Sequence, residues 1–465
     1  MLDDHGMIPS YFAILSKSFS FALLIVFALY ILAYISWIDL GYALSSSKNT
    51  NNIELEENLE IIDTIPFNNT SLSSIVVDTL RNLVYVSANP VYPYDNTTFS
   101  CTEEEKKENN SDSLPTILNS ISACSAIYVI DGDSGQIKNI IRLRPGELIR
   151  DIDINPHSGK IYAAGEYNYL GNDSYADVDG RTIQYEDDVV YIIDEAAGPP
   201  TGNEITRIKL YGEVDDGKEG DMSSIAVDTH TNTIYAGIRY FMGGREGVFV
   251  IYDSNDTIDG SNNININNNN TIKISNLEFI PLGETGPDQI IVGNNTTTTT
   301  ITNTVYASLK YDDFIALIDG SNKTVKKQVI LQDPRAMSLN PTNNLLYVAS
   351  GDSYWFNIIN TTTNEVIAAN KQISYPIASV TNNITGKVYV VECHRCNVFD
   401  LINGSSIYEL FSNGSTVTWR TYEDIDIEEN GLAINPFTNR LYAIGNDIQS
   451  GRSNLYVIDI SSSSQ

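Results

Sequence analysis

Few residues in this chain are of types that could do chemistry, and their spacing narrows what that chemistry could be. Asp151 and Asp153 alternate in the run DIDI at 151–154, so on an extended backbone both carboxylates point to one side. Two acids facing one environment make this the best single candidate for a cation, and outside a cell even a weak calcium site would fill. The other acid groups are Asp187/Asp188, Asp215/Asp216, Glu219/Asp221 and Asp424/Asp426/Glu428/Glu429. They follow no EF-hand or nonapeptide spacing and read as a solvated face. Calcium is the one cofactor to consider, and otherwise none is expected.

Cys393-His394-Arg395-Cys396 forms a CxxC between two apolar runs. Zinc would need two more ligands, and the chain offers no second CxxC and only four histidines, His5, His157, His230 and His394. Asn397 stands where a haem-attachment motif needs His, and a redox pair usually opens a helix rather than a β turn. A turn-closing disulfide is the favoured reading, with metal and redox roles as the alternatives. Cys101 and Cys124 flank an insertion and are expected to form a second disulfide in an exported chain. Neither GxSxG nor a phosphate-cradling glycine loop occurs, and no histidine has a neighbouring Ser-Asp pattern, so no catalytic residues are assigned.

The elements that must position these residues are short. Beyond residue 53 the chain is a succession of apolar-alternating runs broken by Asn, Asp, Gly and Pro, an all-β signature without long helical periodicity. One line recurs seven times, as in SSIVVDTLRNLVYVS (73–87), RDIDINPHSGKIYAA (150–164), SSIAVDTHTNTIYAG (223–237) and RAMSLNPTNNLLYVA (335–349). From Asp78, Asn155, Asp228, Asn340 and Asn435 to Tyr85, Tyr162, Tyr235, Tyr347 and Tyr442 the spacing is seven residues; the sixth unit takes eight and the fourth carries a Thr-rich insertion. A hairpin explains this, with the Asx residue starting the turn and Tyr resuming the pleat in register.

A third strand follows each hairpin, including NVFDL (397–401) in the sixth unit, and a fourth follows in six units, including IYELF (407–411). The seventh unit lacks a fourth strand, while LEIIDTIPF (59–67), ahead of the first unit, has the character of one. The expected fold is an all-β, seven-bladed β-propeller over 58–465 with four-stranded blades, the last closed by the N-terminal strand. The matching tyrosines are read as packing between blades. Units such as DTHTNTIYAG followed by VFVIYD resemble the YVTN family of propeller repeats found in surface-layer and exported proteins. The resemblance covers roughly residues 58–465 and implies the fold, not an activity. Long insertions depart from the compact family repeat: residues 89–123 in blade one and 171–188 in blade two. Insertions of this kind usually gather on one face, often the binding one. SNNININNNNT (261–271) and the Thr run at 296–300 are read as loops.

Phe19 to Ile38 carries no charge and is long enough to cross a bilayer as a helix. Lys17 before it and Asp39 after it place residues 1–18 in the cytoplasm and the rest outside, with 39–57 as a linker. The expected location is the cell membrane, single-pass, or secreted if cleavage follows the small-x-small run Gly41-Tyr42-Ala43. A formal charge of −31 repels nucleic acid and anionic lipid. Sequons stand at Asn68, Asn69, Asn96, Asn109, Asn172, Asn255, Asn269, Asn294, Asn295, Asn322, Asn360, Asn383, Asn403 and Asn413, some of them expected to carry glycans. The expected function is a membrane-anchored extracellular binding module whose loops meet a protein or glycan partner. The alternative is an exported propeller enzyme or metal protein with an axial acidic site.

Overall fold

The recurring line is one turn repeated around a ring. The computed structural model describes residues 59–91, 124–144, 146–168, 175–176, 182–183, 186–194, 204–210, 221–239, 246–253, 265–266, 271–273, 278–296, 301–351, 355–396 and 403–461. In blades one, two, three, five and seven the oxygen of the Asx side chain closing the first strand accepts the N–H two residues on: Asp78 from Leu80 (2.9 Å), Asn155 from His157, Asp228 from His230, Asn340 from Thr342 and Asn435 from Phe437 (3.0 Å each). Four positions after the Asx the backbone turns left-handed, at Asn82, Gly159, Asn232, Asn344 and Asn439, with φ between 52° and 74°. Asn and Gly tolerate that region, so the turn selects them. The tyrosine follows three residues later. In blade six Asn382 takes the Asx position and Gly386 the left-handed one (φ 74°), so counted from Asn382 the spacing to Tyr389 is again seven.

Among the described residues seven blade sheets result, each with a core of four antiparallel strands, beside a two-stranded ladder of Tyr175–Ala176 and Thr182–Ile183. Their innermost strands are Thr70–Asp78, Glu147–Asn155, Asp221–Asp228, Gln289–Thr296, Pro334–Asn340, Pro376–Thr381 and Ile425–Asn435. In blade six the third strand is Ser405–Leu410 and the fourth is Thr416–Tyr422, so IYELF (407–411) belongs to the third strand rather than the fourth. Both runs alternate apolar residues, and only the pairing with Val388–Cys393 separates them. Residues 397–401, expected to be the third strand, lie outside the described residues.

The ring closes as expected. Glu60–Phe67 pairs antiparallel with Ser453–Asp459, from Glu60↔Asp459 to Phe67↔Ser453, and becomes the outermost strand of blade seven. Tyr422 on blade six donates its hydroxyl to Leu59 O at 2.6 Å, and the Leu59 side chain is fully buried.

Among the described residues the apolar core is divided into clusters that each straddle one seam between adjacent blades, and each holds one repeat tyrosine from the earlier blade. Tyr85 packs in the seam to blade two, Tyr162 in the seam to blade three, and so on to Tyr442, which packs against blade one. Tyr85, Tyr162, Tyr235, Tyr306, Tyr347, Tyr389 and Tyr442 are at most 1% exposed. Their hydroxyls reach past the third strand of the next blade: Tyr162 donates to Asp253 (2.8 Å), Tyr347 to Ser412 O (3.0 Å) and Tyr442 to Gly132 O (3.2 Å). The packing role read from their spacing is what the structure contains.

Two polar stretches read as loops carry strand. In blade four the first hairpin is lengthened and paired out to Thr296↔Ile301, and residues 297–300 lie outside the described residues. Within the Asn-rich insertion of blade three, Asn265–Ile266 and Thr271–Lys273 extend the outer edge of blade two, the latter parallel to Glu204–Lys209. The alternation N-I-N-I in 263–266 suits a strand that was obscured by its polar composition.

Candidate functional site at the axial channel

Antiparallel alternation puts the connections between second and third strands on the same face as those that lead from one blade into the next. The blade-one and blade-two second strands end, and their third strands begin, at that face, and the first strands start there. Most first strands carry a β-bulge at that end: an extra residue falls between Leu72 and Ser74, Ile149 and Asp151, Met222 and Ser224, Pro334 and Met337, and Pro376 and Ala378. Bulges re-aim side chains at sheet rims. In blade seven the irregularity runs from Ile427 to Leu432, with Glu428-Glu429-Asn430-Gly431 opposite Ile444 alone.

A first strand has no neighbour on its inner edge, so its inward N–H groups need acceptors. In blades one to four the residue just before the first-strand anchor supplies one to the next blade. Ser74 Oγ accepts from Ile152 N (3.3 Å), Asp151 Oδ2 from Ile225 N (2.9 Å), Ser224 Oγ from Ile290 N (3.0 Å), and Gln289 Oε1 from Met337 N. Asp151 also accepts the hydroxyls of Ser74 (2.7 Å) and Ser224 (2.9 Å), tying blades one, two and three together. Asp153 repeats the pattern one step along the strand, accepting Ile154 N and Val227 N at 2.8 Å each. The structure therefore does bring the two candidate cation ligands to one wall, with their oxygens engaged by amides and hydroxyls. No group of three or more His, Cys, Asp or Glu that could hold a metal ion occurs among the described residues.

These side chains line a cavity of about 530 Å³ walled by blades one to four and by Glu429 and Asn430 of the blade-seven bulge. Glu429 reaches past blade six to Arg335 of blade five at 3.5 Å, and Arg335 also holds Asp333 at 2.9 Å. Beside it Arg239 of blade three pairs with Asp288 of the neighbouring blade four, and Arg150 grips Glu166 of its own blade two through two bonds of 2.9 Å. Glu429, expected on a solvated face with Asp424, Asp426 and Glu428, keeps 40% of its side chain exposed and also lines the channel, whereas Glu428 accepts a hydrogen bond from Asn446. Local pattern could not show this, because the bulge is defined by what lies across the ring.

Burial raises the Glu429 carboxyl, Asp288 adds to the rise, and Lys310 and Arg335 oppose it. Burial likewise lifts Asp151 against its four hydrogen bonds, and lifts Asp153 to about 7. The unfolded value of an Asp is about 3.9. A carboxyl whose folded value is raised contributes stability that is complete below the unfolded value and is lost as pH climbs through the folded one. Stability should therefore fall between about pH 4 and pH 8. Asp153→Asn should remove a part of that slope worth about 1–3 kcal/mol, since the channel keeps this wall partly wet. Denaturant melts of both proteins at pH 5 and pH 8 check this; parallel slopes would refute it. Repeating them with calcium and with a chelator tests the cation reading, which requires a calcium-dependent shift that Asp153→Asn abolishes.

The remaining sequence-derived residues are scattered. Cys393 and Cys396 form a disulfide with a Cα–Cα distance of 5.4 Å. Cys124 is also disulfide-bonded, and its expected partner Cys101 lies outside the described residues, as does the apolar segment 19–38. Among the described residues no helix is long and apolar enough to cross a membrane. Asn69, Asn322, Asn383, Asn403 and Asn413 are exposed, and Asn68 and Asn360 are partly covered. Of Asn294 and Asn295 only the strand backbone is described; Asn96, Asn109, Asn172, Asn255 and Asn269 lie outside the described residues. One Ser–His contact was not legible in the sequence: His394 Nε2 lies 2.7 Å from Ser406 Oγ, which lies 2.8 Å from Thr421 Oγ1. His394 is 6% exposed and Ser406 1%, so this hydroxyl chain is a buried tether.

These features define a closed seven-bladed β-propeller with a polar axial cavity. No family model and no curated protein matches the chain. Among solved structures, one titled "Crystal Structure of Mitotic Checkpoint Complex" contains a similar chain, with a TM-score of 0.53 and 11% identity, covering 90% of this chain and 97% of that one. At that identity the likeness shows the fold alone.

Proposed function

We propose that this protein is a membrane-anchored, glycosylated extracellular propeller that binds a protein or glycan partner through the face carrying the channel mouth. The observation behind this reading is that the strand ends leading into and out of the blade-one and blade-two insertions, the bulges and the channel mouth gather on one face. The uncharged segment 19–38 supports anchoring, and the resemblance to YVTN repeats supports a surface-layer or exported setting. Exposed sequons support glycosylation.

Topology is tested on intact cells carrying the full chain with a membrane-impermeant amine label. Lys138 and Lys326, whose side chains are 54% and 46% exposed, should react, and Lys17 only after permeabilisation. Labelling of Lys17 alone would reverse the orientation, and a mature chain starting near Ala43 would make the protein secreted. In crosslinking on the same cells, partner crosslinks should map to connections between second and third strands. Crosslinks confined to the opposite face would reject the assigned surface.

A further inference from the structure

The CxxC of blade six does little as a staple. The strands it joins, Val388–Cys393 and Ser405–Leu410, pair through every position from Val388↔Leu410 to Cys393↔Ser405. The ladder continues past the cysteine, since His394 N donates to Gly404 O at 3.2 Å, and Cys393 N donates to Tyr375 O at 3.1 Å. The His394–Ser406–Thr421 chain holds the turn from within. Stabilisation by a disulfide grows with the length of the loop it closes, and Cys393 and Cys396 are only three positions apart.

Its two sulfurs are unequally placed. Cys393 is 2% exposed, whereas Cys396 is exposed. The backbone N–H of Cys396 donates to Cys393 Sγ at 3.1 Å, which would stabilise a thiolate there. Arg395 between them, with 69% of its side chain exposed and 2.8 Å from Asp426 on blade seven, sets a cation beside the approach path. Thiol–disulfide exchange requires an accessible sulfur to attack and a stabilised sulfur to leave, and this turn provides both.

We propose that Cys393–Cys396 is a thiol–disulfide exchange site for an external dithiol, attacked at Cys396. The incoming thiolate forms a bond to Cys396 Sγ, the S–S bond breaks, and its electron pair leaves on Cys393 Sγ. The second thiolate of the dithiol then attacks its own sulfur in the mixed disulfide and releases Cys396 as thiolate. The dithiol is oxidised to its disulfide, and the cysteine pair gains the two electrons and takes up the two protons the dithiol gives up.

Dithiothreitol is the probe, added to the full folded chain, with alkylation and mass spectrometry as the readout. Cys393 and Cys396 should become alkylated at least tenfold faster than Cys124, which is 3% exposed, with the thermal transition unchanged. Reduction at equal rates, or only in denaturant, overturns the proposal. Cys393→Ser should form a mixed disulfide with glutathione disulfide at Cys396, whereas Cys396→Ser should leave Cys393 unmodified while folded. Equal adducts in both variants would show that the two sulfurs are not distinguished and reject the assigned direction of attack.

Discussion

Removing residues 59–67 is expected to abolish cooperative folding of blade seven and of its seams with blades six and one. The deleted strand buries Leu59 (0% exposed), Ile65 (9%) and Phe67 (1%) and supplies the outer hydrogen-bond partner of Ser453–Asp459. At about 1.5–3 kcal/mol for each buried side chain the loss is roughly 5–9 kcal/mol, comparable to the whole stability of an ordinary domain. It also takes away the Leu59 carbonyl that Tyr422 bonds and re-creates an unpaired edge. Phe67→Ala alone should cost about 3–5 kcal/mol, and Ile62→Ala, at a position 49% exposed, almost nothing. Calorimetry of the three proteins decides it, and an unaltered transition in the deletion would mean that the ring does not depend on this strand.

The second large effect is expected at Tyr162, because its ring fills the seam between blades two and three and its hydroxyl bonds Asp253. Asp253 is 7% exposed and also holds Lys160 through bonds of 2.9 and 3.0 Å. Burial, followed by the charge of Asp253, keeps the Tyr162 phenol far above its ordinary range, so it stays a donor at any physiological pH. Tyr162→Phe should cost about 1.5–3 kcal/mol, the scale of a hydrogen bond to a charged group. Tyr162→Ala should cost about 3–5 kcal/mol by adding a cavity. Tyr311→Ala, at a site 52% exposed, should stay within about 0.5 kcal/mol. Equilibrium unfolding of the three variants gives the ranking, and a Tyr162→Phe protein as stable as the parent would show that the hydroxyl bond across the seam contributes nothing.

Much of this architecture could be read before any coordinate because its causes are local. The distance from Asp78 to Tyr85 is set by a turn whose Asx oxygen, left-handed Asn and resumed pleat lie within eight consecutive residues. The closing strand at 59–67 was recognisable because one unit lacked a strand and one strand lacked a unit. Blade six shows where local reading fails. Its last two strands alternate alike, and only pairing to Val388–Cys393 told third from fourth.

The channel shows the same division. That Asp151 and Asp153 share one side of a strand follows from the period of two, so their common wall was legible. What they meet there was not, because their partners Ser74, Ser224, Ile225 and Val227 lie more than seventy residues away in either direction. The sequence by itself determined the blades, their number, the closure of the ring and the disposition of its tyrosines, all of which arise from turns, alternation and repetition. Only the tertiary structure decided that the two aspartates serve as acceptors for neighbouring inner edges, that Glu429 spans the mouth to Arg335, and that one sulfur of the CxxC is open while the other is buried. Those properties depend on which side chains a closed ring brings together, and no local pattern encodes a distance across a ring.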